Sequence, residues 1–297
     1  MLILNEERYA ENLYYGRNNE VKSTVTKIGY ITRYLMHTLG FNNEDNYRCT
    51  VEWMKYNHAN FDESTYSNLI SDAIKRAQKN PFYNIESITI TQSELEIIAT
   101  LEDIKAEKVL FVLLCMAKHQ AASYGFTRGL VKYSLSDLCK MARISVPTED
   151  REYILYNIIQ TGLLGYPKKN NTQCLFVNFI NTGDDVALQL NEEHCKDLAY
   201  EYLNWKNNGD GYTRCEFCDK VIKRSKSNPK RYCKECIGML GNIPKDVKVI
   251  KCADCGKPVY LPILNTKTVR CDECQKSVNE SQNRERQKRW YDNHIKT

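Results

Sequence analysis

The pattern of hydrophobic and polar positions predicts helices over much of the first part of the chain. Between residues 20 and 78, apolar residues recur at i, i+3 and i+4, the spacing that places them on one helix face. Two groups show this spacing: Ile28, Ile31 and Leu35, then Leu69, Ile70, Ala73, Ile74 and Ala77. A proline at position 81 ends the second group, and residues 86–91 alternate as in a short strand.

Local start and stop signals predict four further helices. Thr91 and Glu94 form a capping-box pattern, Ser134 and Asp137 open a later helix, and Pro147 precedes the last one. The predicted helices cover residues 91–101, 105–121, 134–142 and 147–162.

Two β-like runs, 163–166 and 174–180, follow these helices and are joined by a polar segment that contains Lys168 and Lys169. The order of helix, short helix, turn, helix and hairpin over residues 105–180 resembles a winged helix-turn-helix. The resemblance implies that the second helix of the pair enters the major groove of DNA while the hairpin contacts the backbone.

The helix that this resemblance assigns to the groove begins with an acidic turn. Residues 148–152 contain three acids and one arginine. Acids stabilise a helix N-terminus through its dipole, but they repel phosphates. The module can therefore bind DNA through its hairpin or dock a protein, and both interpretations stay open.

Composition is that of a soluble globular protein. The chain has 297 residues and 34.6 kDa, with 42% hydrophobic and 27% charged residues, a size typical of about two domains. The longest apolar run, 109–117, is too short to span a membrane. Charged residues directly after the first apolar ones argue against a signal peptide, so we expect a cytoplasmic protein.

Charge and cysteine both change near residue 210. The formal net charge is +5, yet residues 211–297 hold 20 Lys+Arg and 10 Asp+Glu, which leaves the first 210 residues at −5. Residues 206–211 are polar and glycine-rich, as in a linker. We expect a helical region over 1–90, a winged-helix-like domain over 91–205, zinc ribbons over 212–250 and 251–277, and a basic helical tail over 278–297.

Eight of the 13 cysteines lie in the last 87 residues, all in Cys-x-x-Cys pairs. Fourteen residues separate the pairs of the first set and fifteen those of the second, and the two sets repeat with an offset of 37. This spacing predicts two closed, structural zinc sites. Disulfides, iron–sulfur ligation and redox pairs are the alternatives, disfavoured by the reducing compartment or by the spacing. The predicted ligands are Cys215, Cys218, Cys233, Cys236, Cys252, Cys255, Cys271 and Cys274.

Residues 213–276 resemble a tandem zinc ribbon. Gly256 and Lys257 match the small and basic residues that often follow a Cys-x-x-Cys turn, whereas the first turn carries Asp219 in place of glycine. The resemblance implies a recognition module, and zinc ribbons bind DNA, RNA and proteins.

Basic residues cluster around the predicted zinc sites and in the tail. They suit phosphate contact, although cations near a four-thiolate zinc centre can also neutralise its charge of −2, and a terminal basic helix can simply be solvated. The predicted nucleic-acid contacts are Lys168, Lys169, Lys223, Arg224, Lys226, Lys230, Arg231, Arg284, Arg286, Lys288 and Arg289.

Motifs for catalysis are absent from the sequence. It has no P-loop, dinucleotide fingerprint, H-E-x-x-H or nucleophile elbow. His194 and Cys195 are adjacent, but neighbours in a helix point in different directions. We therefore expect no enzyme, with a nuclease or other enzyme that captures substrate through the ribbons as a weaker alternative.

The sequence as a whole predicts a mainly α protein with small β elements: a helical region, a winged-helix-like module and two C-terminal four-cysteine zinc ribbons. We expect a zinc-dependent nucleic-acid-binding protein with two Zn²⁺ ions, DNA being favoured over RNA. In general character it resembles transcription regulators or replication-associated proteins of phages and mobile elements in low-GC bacteria. The alternative is an adaptor that recruits a polymerase, nuclease or replisome component.

Overall fold

The computed structural model describes residues 2–16, 23–124, 129–167, 174–181, 183, 185–224, 231–241, 244 and 246–294. The protein is mainly α-helical with small β-sheets, which confirms the predicted fold class. It divides into two compact units, Met1–Ala199 and Tyr200–Thr297.

The first unit begins with four helices, and the apolar faces of the second, third and fourth form one core. Ile28, Met54 and Ile70 lie at its centre, each no more than 1% exposed. Asn42 and Asp62 cap the third and fourth helices by accepting hydrogen bonds from first-turn N–H groups. The helices are α1 (Glu6–Tyr14), α2 (Thr24–His37), α3 (Asn43–Asn57) and α4 (Glu63–Ala77).

A two-stranded antiparallel sheet joins distant parts of the first unit. Strand β1 (Ile88–Thr91) pairs with β5 (Val186–Leu190), and α5 (Gln92–Ala99) follows β1 directly. The predicted capping box at the start of α5 is confirmed, because Thr91 and Glu94 each accept a hydrogen bond from the other's backbone N–H.

The predicted series of helices and hairpin lies between β1 and β5. Its central helix is buried from Val109 to Cys115, with no side chain there more than 2% exposed. A three-stranded sheet in the order β2-β4-β3 packs with these helices. The elements are α6 (Ile104–Tyr124), β2 (Leu130–Lys132), α7 (Leu135–Met141), α8 (Thr148–Gln160), β3 (Leu164–Gly165) and β4 (Cys174–Val177).

Strand β2 depends on a glycine. Gly129 has φ +62, and a Cβ there would lie 2.6 Å from the Val177 carbonyl oxygen. The Gly129 carbonyl instead accepts a hydrogen bond from Val177 N at 3.0 Å. Only glycine allows this close approach of β2 to β4.

The second unit contains two hairpins, and helices of different lengths, around the cysteine pairs. A 3₁₀ turn, His194–Lys196, precedes α9, and the boundary between the units falls within α9. None of the described helices combines the length and apolarity needed to cross a membrane. The elements are α9 (Leu198–Lys206), β6 (Tyr212–Arg214), β7 (Val221–Lys223), α10 (Lys234–Leu240), β8 (Val247–Lys251), β9 (Pro258–Pro262) and α11 (Asp272–His294).

Candidate metal centres

The structure brings the eight predicted cysteines together in two groups of four. In each group the sulfur atoms all lie within 4.8 Å of one another. The first cluster is Cys215, Cys218, Cys233 and Cys236, and the second cluster is Cys252, Cys255, Cys271 and Cys274.

The same backbone turns build both clusters. Asp219 N donates to the Cys215 carbonyl at 2.9 Å, and Gly256 N donates to the Cys252 carbonyl at 3.0 Å. The residue after each turn, Lys220 or Lys257, accepts from the N–H of the first cysteine at 2.9 Å. The repeat in sequence is therefore a repeat in structure, although Asp219 replaces glycine in the first turn.

Sulfur spacing in both clusters suits a tetrahedral zinc ion. Sγ–Sγ distances are 3.7 Å for Cys218–Cys233 and 3.7 Å for Cys255–Cys271. Zinc–sulfur bonds of about 2.3 Å in a tetrahedron require about 3.8 Å between sulfurs. Each cluster could bind one zinc ion, and four sulfur ligands would leave no open coordination position.

Backbone N–H groups point at the sulfurs and support their ionisation. Cys233 N donates to Cys215 Sγ at 3.2 Å, and Cys271 N donates to Cys252 Sγ at 3.3 Å. A hydrogen bond from the Cys218 thiol, with further backbone donors, lowers the pKa of Cys215 to about 4. Backbone donors from Cys255 and Cys271 lower the pKa of Cys252 to about 6.

Other thiols of the first cluster resist ionisation when no cation is near. The hydrogen bond to Cys215 and burial raise the pKa of Cys218, and burial raises the pKa of Cys236 to about 12. A divalent cation removes this opposition because it deprotonates coordinating thiols. Metal binding should therefore release protons and favour the folded cluster.

In each cluster, two ion pairs join residues beside the first Cys-x-x-Cys pair to residues beside the second. In the first cluster, Arg231 binds Glu216 through two nitrogens at 2.6 and 2.9 Å, and Lys220 binds Glu235 at 3.1 Å. In the second cluster, Arg270 binds Asp254 at 2.7 Å and Lys257 binds Glu273 at 3.3 Å. Sequence reasoning missed these four pairs, although the repeat of Lys220 at Lys257 was a signal for the two pairs that these lysines form.

A small core links the two hairpins of the second unit. Val249 of β8 is buried against the first cluster together with Phe217 and Tyr232. Tyr260 of β9 donates its hydroxyl to the Leu240 carbonyl at 3.1 Å. The hairpin of the second cluster therefore completes the apolar core of the first.

The clusters differ in their exposure to solvent. Cys215, Cys233 and Cys236 are buried and Cys218 is half-buried. In the second cluster Cys252 is buried, but Cys255 is exposed and the other two are half-buried. A chelator would therefore reach a metal in the second cluster more easily.

The predicted nucleic-acid contacts fall into four groups. Lys223 and Arg224 are exposed at the end of β7, and neither has an ion pair within the described ranges. Arg231 holds Glu216 and donates to the Val247 carbonyl, so its charge is already matched. Arg286 is exposed on α11, which also carries Arg284, Lys288 and Arg289. Lys168, Lys169, Lys226 and Lys230 lie outside the described residues.

His194 and Cys195, the pair weighed as a catalytic candidate, lie in the 3₁₀ turn and are both buried. His194 Nδ1 lies 3.1 Å from the Gln189 carbonyl oxygen and 3.2 Å from Asn191 N. These contacts give the histidine a structural role at the end of β5.

Comparison of the chain with models of protein families, with curated proteins and with solved structures found no match.

Proposed function

We propose that the protein binds nucleic acid, with DNA favoured over RNA, through the basic surface of its zinc-dependent second unit. The observation that carries the proposal is the pair Lys223 and Arg224. Both are exposed at the end of a short hairpin that the first cluster anchors. Cations without a matched acid are available to displace the counterions of a phosphate backbone.

Local charge supports the proposal better than net charge does. Residues 211–297 hold twice as many basic as acidic residues. Eight zinc-bound thiolates and two zinc ions together add a charge of −4, which lowers this region to about +6 and the whole chain to about +1. Nucleic-acid contact therefore depends on particular cations, and many of those near the clusters are held in ion pairs.

The topology of the first unit is compatible with a second DNA contact. The order α6, β2, α7, α8, β3, β4 and the sheet order β2-β4-β3 support the resemblance to a winged helix-turn-helix. In such a module the connection between β3 and β4 contacts the DNA backbone, and in this chain the sequence of that connection contains Lys168 and Lys169.

The role we propose is regulatory or replication-associated, in a cytoplasmic protein of a phage or mobile element. Catalysis is not part of it, because a zinc ion held by four thiolates has no open position for water or substrate. The zinc ions would instead hold the hairpins that present the cations.

A gel-shift series tests the proposal. Zinc-loaded full-length protein is titrated against duplex DNA, single-stranded DNA and RNA at several salt concentrations. For Lys223→Ser/Arg224→Ser we expect weaker binding to every sequence and a salt slope smaller by about 1 per lost contact. Lys75→Ser/Arg76→Ser removes the same two residue types from the exposed end of α4 and should change neither quantity. Absence of binding at low salt by folded, zinc-loaded protein would refute the proposal.

The second candidate function is an adaptor that recruits a polymerase, nuclease or replisome component. The loop after β9 favours it, because Leu264 is 91% exposed and Ile263 is 45% exposed. Asn265 Oδ1 holds this loop by accepting from Lys267 N at 3.1 Å and Thr268 N at 3.2 Å. An apolar tip on an ordered loop suits a protein contact.

The adaptor is tested in nuclease-treated extract of the native host. Wild type should retain a replication or transcription protein that Leu264→Ser loses, while both bind nucleic acid equally. If Leu264→Ser retains the same protein, the loop after β9 is not the contact for that partner.

A further inference from the structure

Helix α8 presents one continuous exposed stripe along its length. The stripe residues follow the spacing i, i+3, i+4, i+7, i+8 and i+11, so they share one face. The opposite face, with Ile154, Leu155 and Ile158, is buried. The α8 stripe consists of Glu149, Glu152, Tyr153, Tyr156, Asn157 and Gln160, all exposed.

The stripe changes in chemistry from one end of the helix to the other. Two carboxylates lie at its start, two tyrosines in the middle and two carboxamides at its end. Tyr153 is 65% exposed and Tyr156 is 57% exposed. In the described part of the chain, the side chain of neither tyrosine makes a hydrogen bond, and the Glu149 and Glu152 carboxylates make no ion pair. Exposed tyrosines without an internal partner are typical of protein interfaces.

The cations on α7, on α8 and between them already have partners within the first unit. Residues 135–160 contain three, and each has an acceptor in the first unit. Lys140 pairs with Asp137 at 3.4 Å, Arg143 donates to Asp197 at 2.7 Å, and Arg151 donates to the Val146 carbonyl at 2.8 Å. A helix that enters the major groove needs cations to approach the phosphates, whereas this stripe offers carboxylates.

We infer that the α8 stripe is a protein-docking surface for a basic, arginine-rich segment of a partner protein. Charge complementarity identifies the occupant. Glu149 and Glu152 can accept the paired N–H donors of a guanidinium group. Tyr153 and Tyr156 offer ring faces on which a guanidinium stacks, a contact that lysine makes less well. Asn157 and Gln160 supply acceptors and donors for the backbone of the segment.

This surface goes beyond the proposed function, which depends on cations of the second unit. The two functions use different residues with opposite charge. Substitutions in the α8 stripe can therefore abolish peptide binding without affecting nucleic-acid binding, and substitutions of Lys223 and Arg224 can do the reverse.

Binding of a defined peptide tests the inference. The probe is a fluorescein-labelled peptide of six arginines separated by glycines, titrated by anisotropy with full-length, zinc-loaded protein at low salt. We expect saturable binding that weakens at least fivefold in Tyr153→Ala/Tyr156→Ala and at least fivefold in Glu149→Gln/Glu152→Gln. The same peptide with lysine in place of arginine should bind more weakly.

Two control variants separate the stripe from general effects. Tyr56→Ala/Glu96→Gln removes an exposed tyrosine and an exposed carboxylate from other helices of the first unit and should leave peptide binding unchanged. Tyr153→Phe/Tyr156→Phe keeps the rings and should retain most of the affinity. Thermal melting of each variant checks that the fold is intact.

Three results would overturn the inference. The first is no peptide binding by wild type. The second is equal weakening by the α8 variants and by the control variant. The third is loss of duplex DNA binding in Tyr153→Ala/Tyr156→Ala, which would assign the stripe to DNA. Lys223→Ser/Arg224→Ser should bind the peptide normally, so a failure of nucleic-acid binding remains distinguishable from a failure of this surface.

Discussion

At the scale of single residues, the two cysteine turns show that different residues can adopt the same backbone conformation. Asp219 has φ +61 and Gly256 has φ +70, both in the left-handed region. Glycine adopts this region without strain, and aspartate is among the few other residues that tolerate it. The departure from glycine at position 219 therefore leaves the turn intact.

Substitution of Gly256 tests the importance of this conformation. A Cβ at Gly256 would meet no atom within 4 Å, so Gly256→Ala adds backbone strain without a clash. We expect a cost of about 1 kcal/mol, which weakens zinc binding at the second cluster roughly fivefold. Competition with a chromophoric chelator measures this affinity. Gly256→Asn should cost less, and equal losses for both variants would contradict the explanation.

His119 gives the first unit a dependence on pH. Its side chain is 8% exposed, and Nε2 lies 2.7 Å from the Ile3 carbonyl oxygen, to which it donates. Burial lowers the pKa of His119 below its ordinary value. The unfolded chain therefore binds a proton more readily, so this contribution to stability is complete above about pH 6.5 and decreases as pH falls below it.

Amide hydrogen exchange in α6 at pH 7.5 and pH 5.5 measures this effect, after correction for intrinsic exchange rates. Protection should be lower at pH 5.5 in wild type. His119→Gln keeps a donor for Ile3 but cannot titrate, so its protection should change less. The same change in both proteins would show that His119 is not the group responsible.

At the scale of elements, local signals were sufficient for the helices with caps or clear periodicity. The capping box of α5 and the apolar run of α6 each specify structure within a few residues, and both helices lie where they were expected. Helix α1 was covered only by the general expectation of a helical region over 1–90, and strands β2 and β5 were missed. Strand β5 pairs with β1 about a hundred residues earlier in the chain, and no local pattern encodes such a partner.

A buried ion pair holds α6 near this sheet. Lys118 Nζ lies 2.7 Å from Glu94 Oε2, with side chains 12% and 0% exposed, and it also donates to the Thr89 and Asn181 carbonyls. Removal of one partner leaves a buried charge uncompensated. Lys118→Met should therefore lower the free energy of unfolding by about 3–5 kcal/mol.

Urea denaturation followed by circular dichroism measures this loss. The matched control is Lys140→Met, because Lys140 and Asp137 form an ion pair with side chains 74% and 70% exposed. That variant should lose less than about 1 kcal/mol. Similar losses in the two variants would mean that burial does not set the strength of the Lys118 pair.

At the scale of the whole molecule, we expect the stability of the second unit to depend on metal far more than that of the first. The hairpin at the first cluster has three paired residue positions, and the hairpin at the second cluster has five. Such small sheets do not fold on apolar burial alone. The first unit has a helical core with many fully buried side chains and no four-cysteine group among its described residues.

Removal of zinc should therefore unfold the second unit alone. Zinc analysis of the full chain should give two ions, and fewer would contradict the assignment of two sites. After treatment with EDTA we expect loss of amide protection in β6 to β9 while α2 to α4 and α6 keep theirs. Cys252→Ser should reduce the zinc content and weaken protection in β8 and β9. Loss of protection in both units would show that the first unit also needs the metal.

The difference in burial between the clusters predicts two rates of zinc release. A chelator should remove zinc quickly from the second cluster, where Cys255 is exposed, and slowly from the first, because surrounding apolar residues limit solvent access. Stopped-flow absorbance with a chromophoric chelator resolves the two phases. Cys255→Ser should remove the fast phase and Cys218→Ser the slow phase. If the fast phase survives in Cys255→Ser, the first cluster releases zinc faster than the second, contrary to this prediction.

The sequence by itself determined which cysteines form the two groups that could bind zinc, because thiol chemistry and the spacing of Cys-x-x-Cys pairs act within short segments. It also determined the mainly helical fold class through local periodicity and caps. Tertiary structure decided which cations are matched: Arg231 meets Glu216, while Lys223 and Arg224 stay exposed. It likewise decided which face of α8 is exposed. Ion pairs and burial depend on residues brought together by folding, and sequence spacing alone does not specify them.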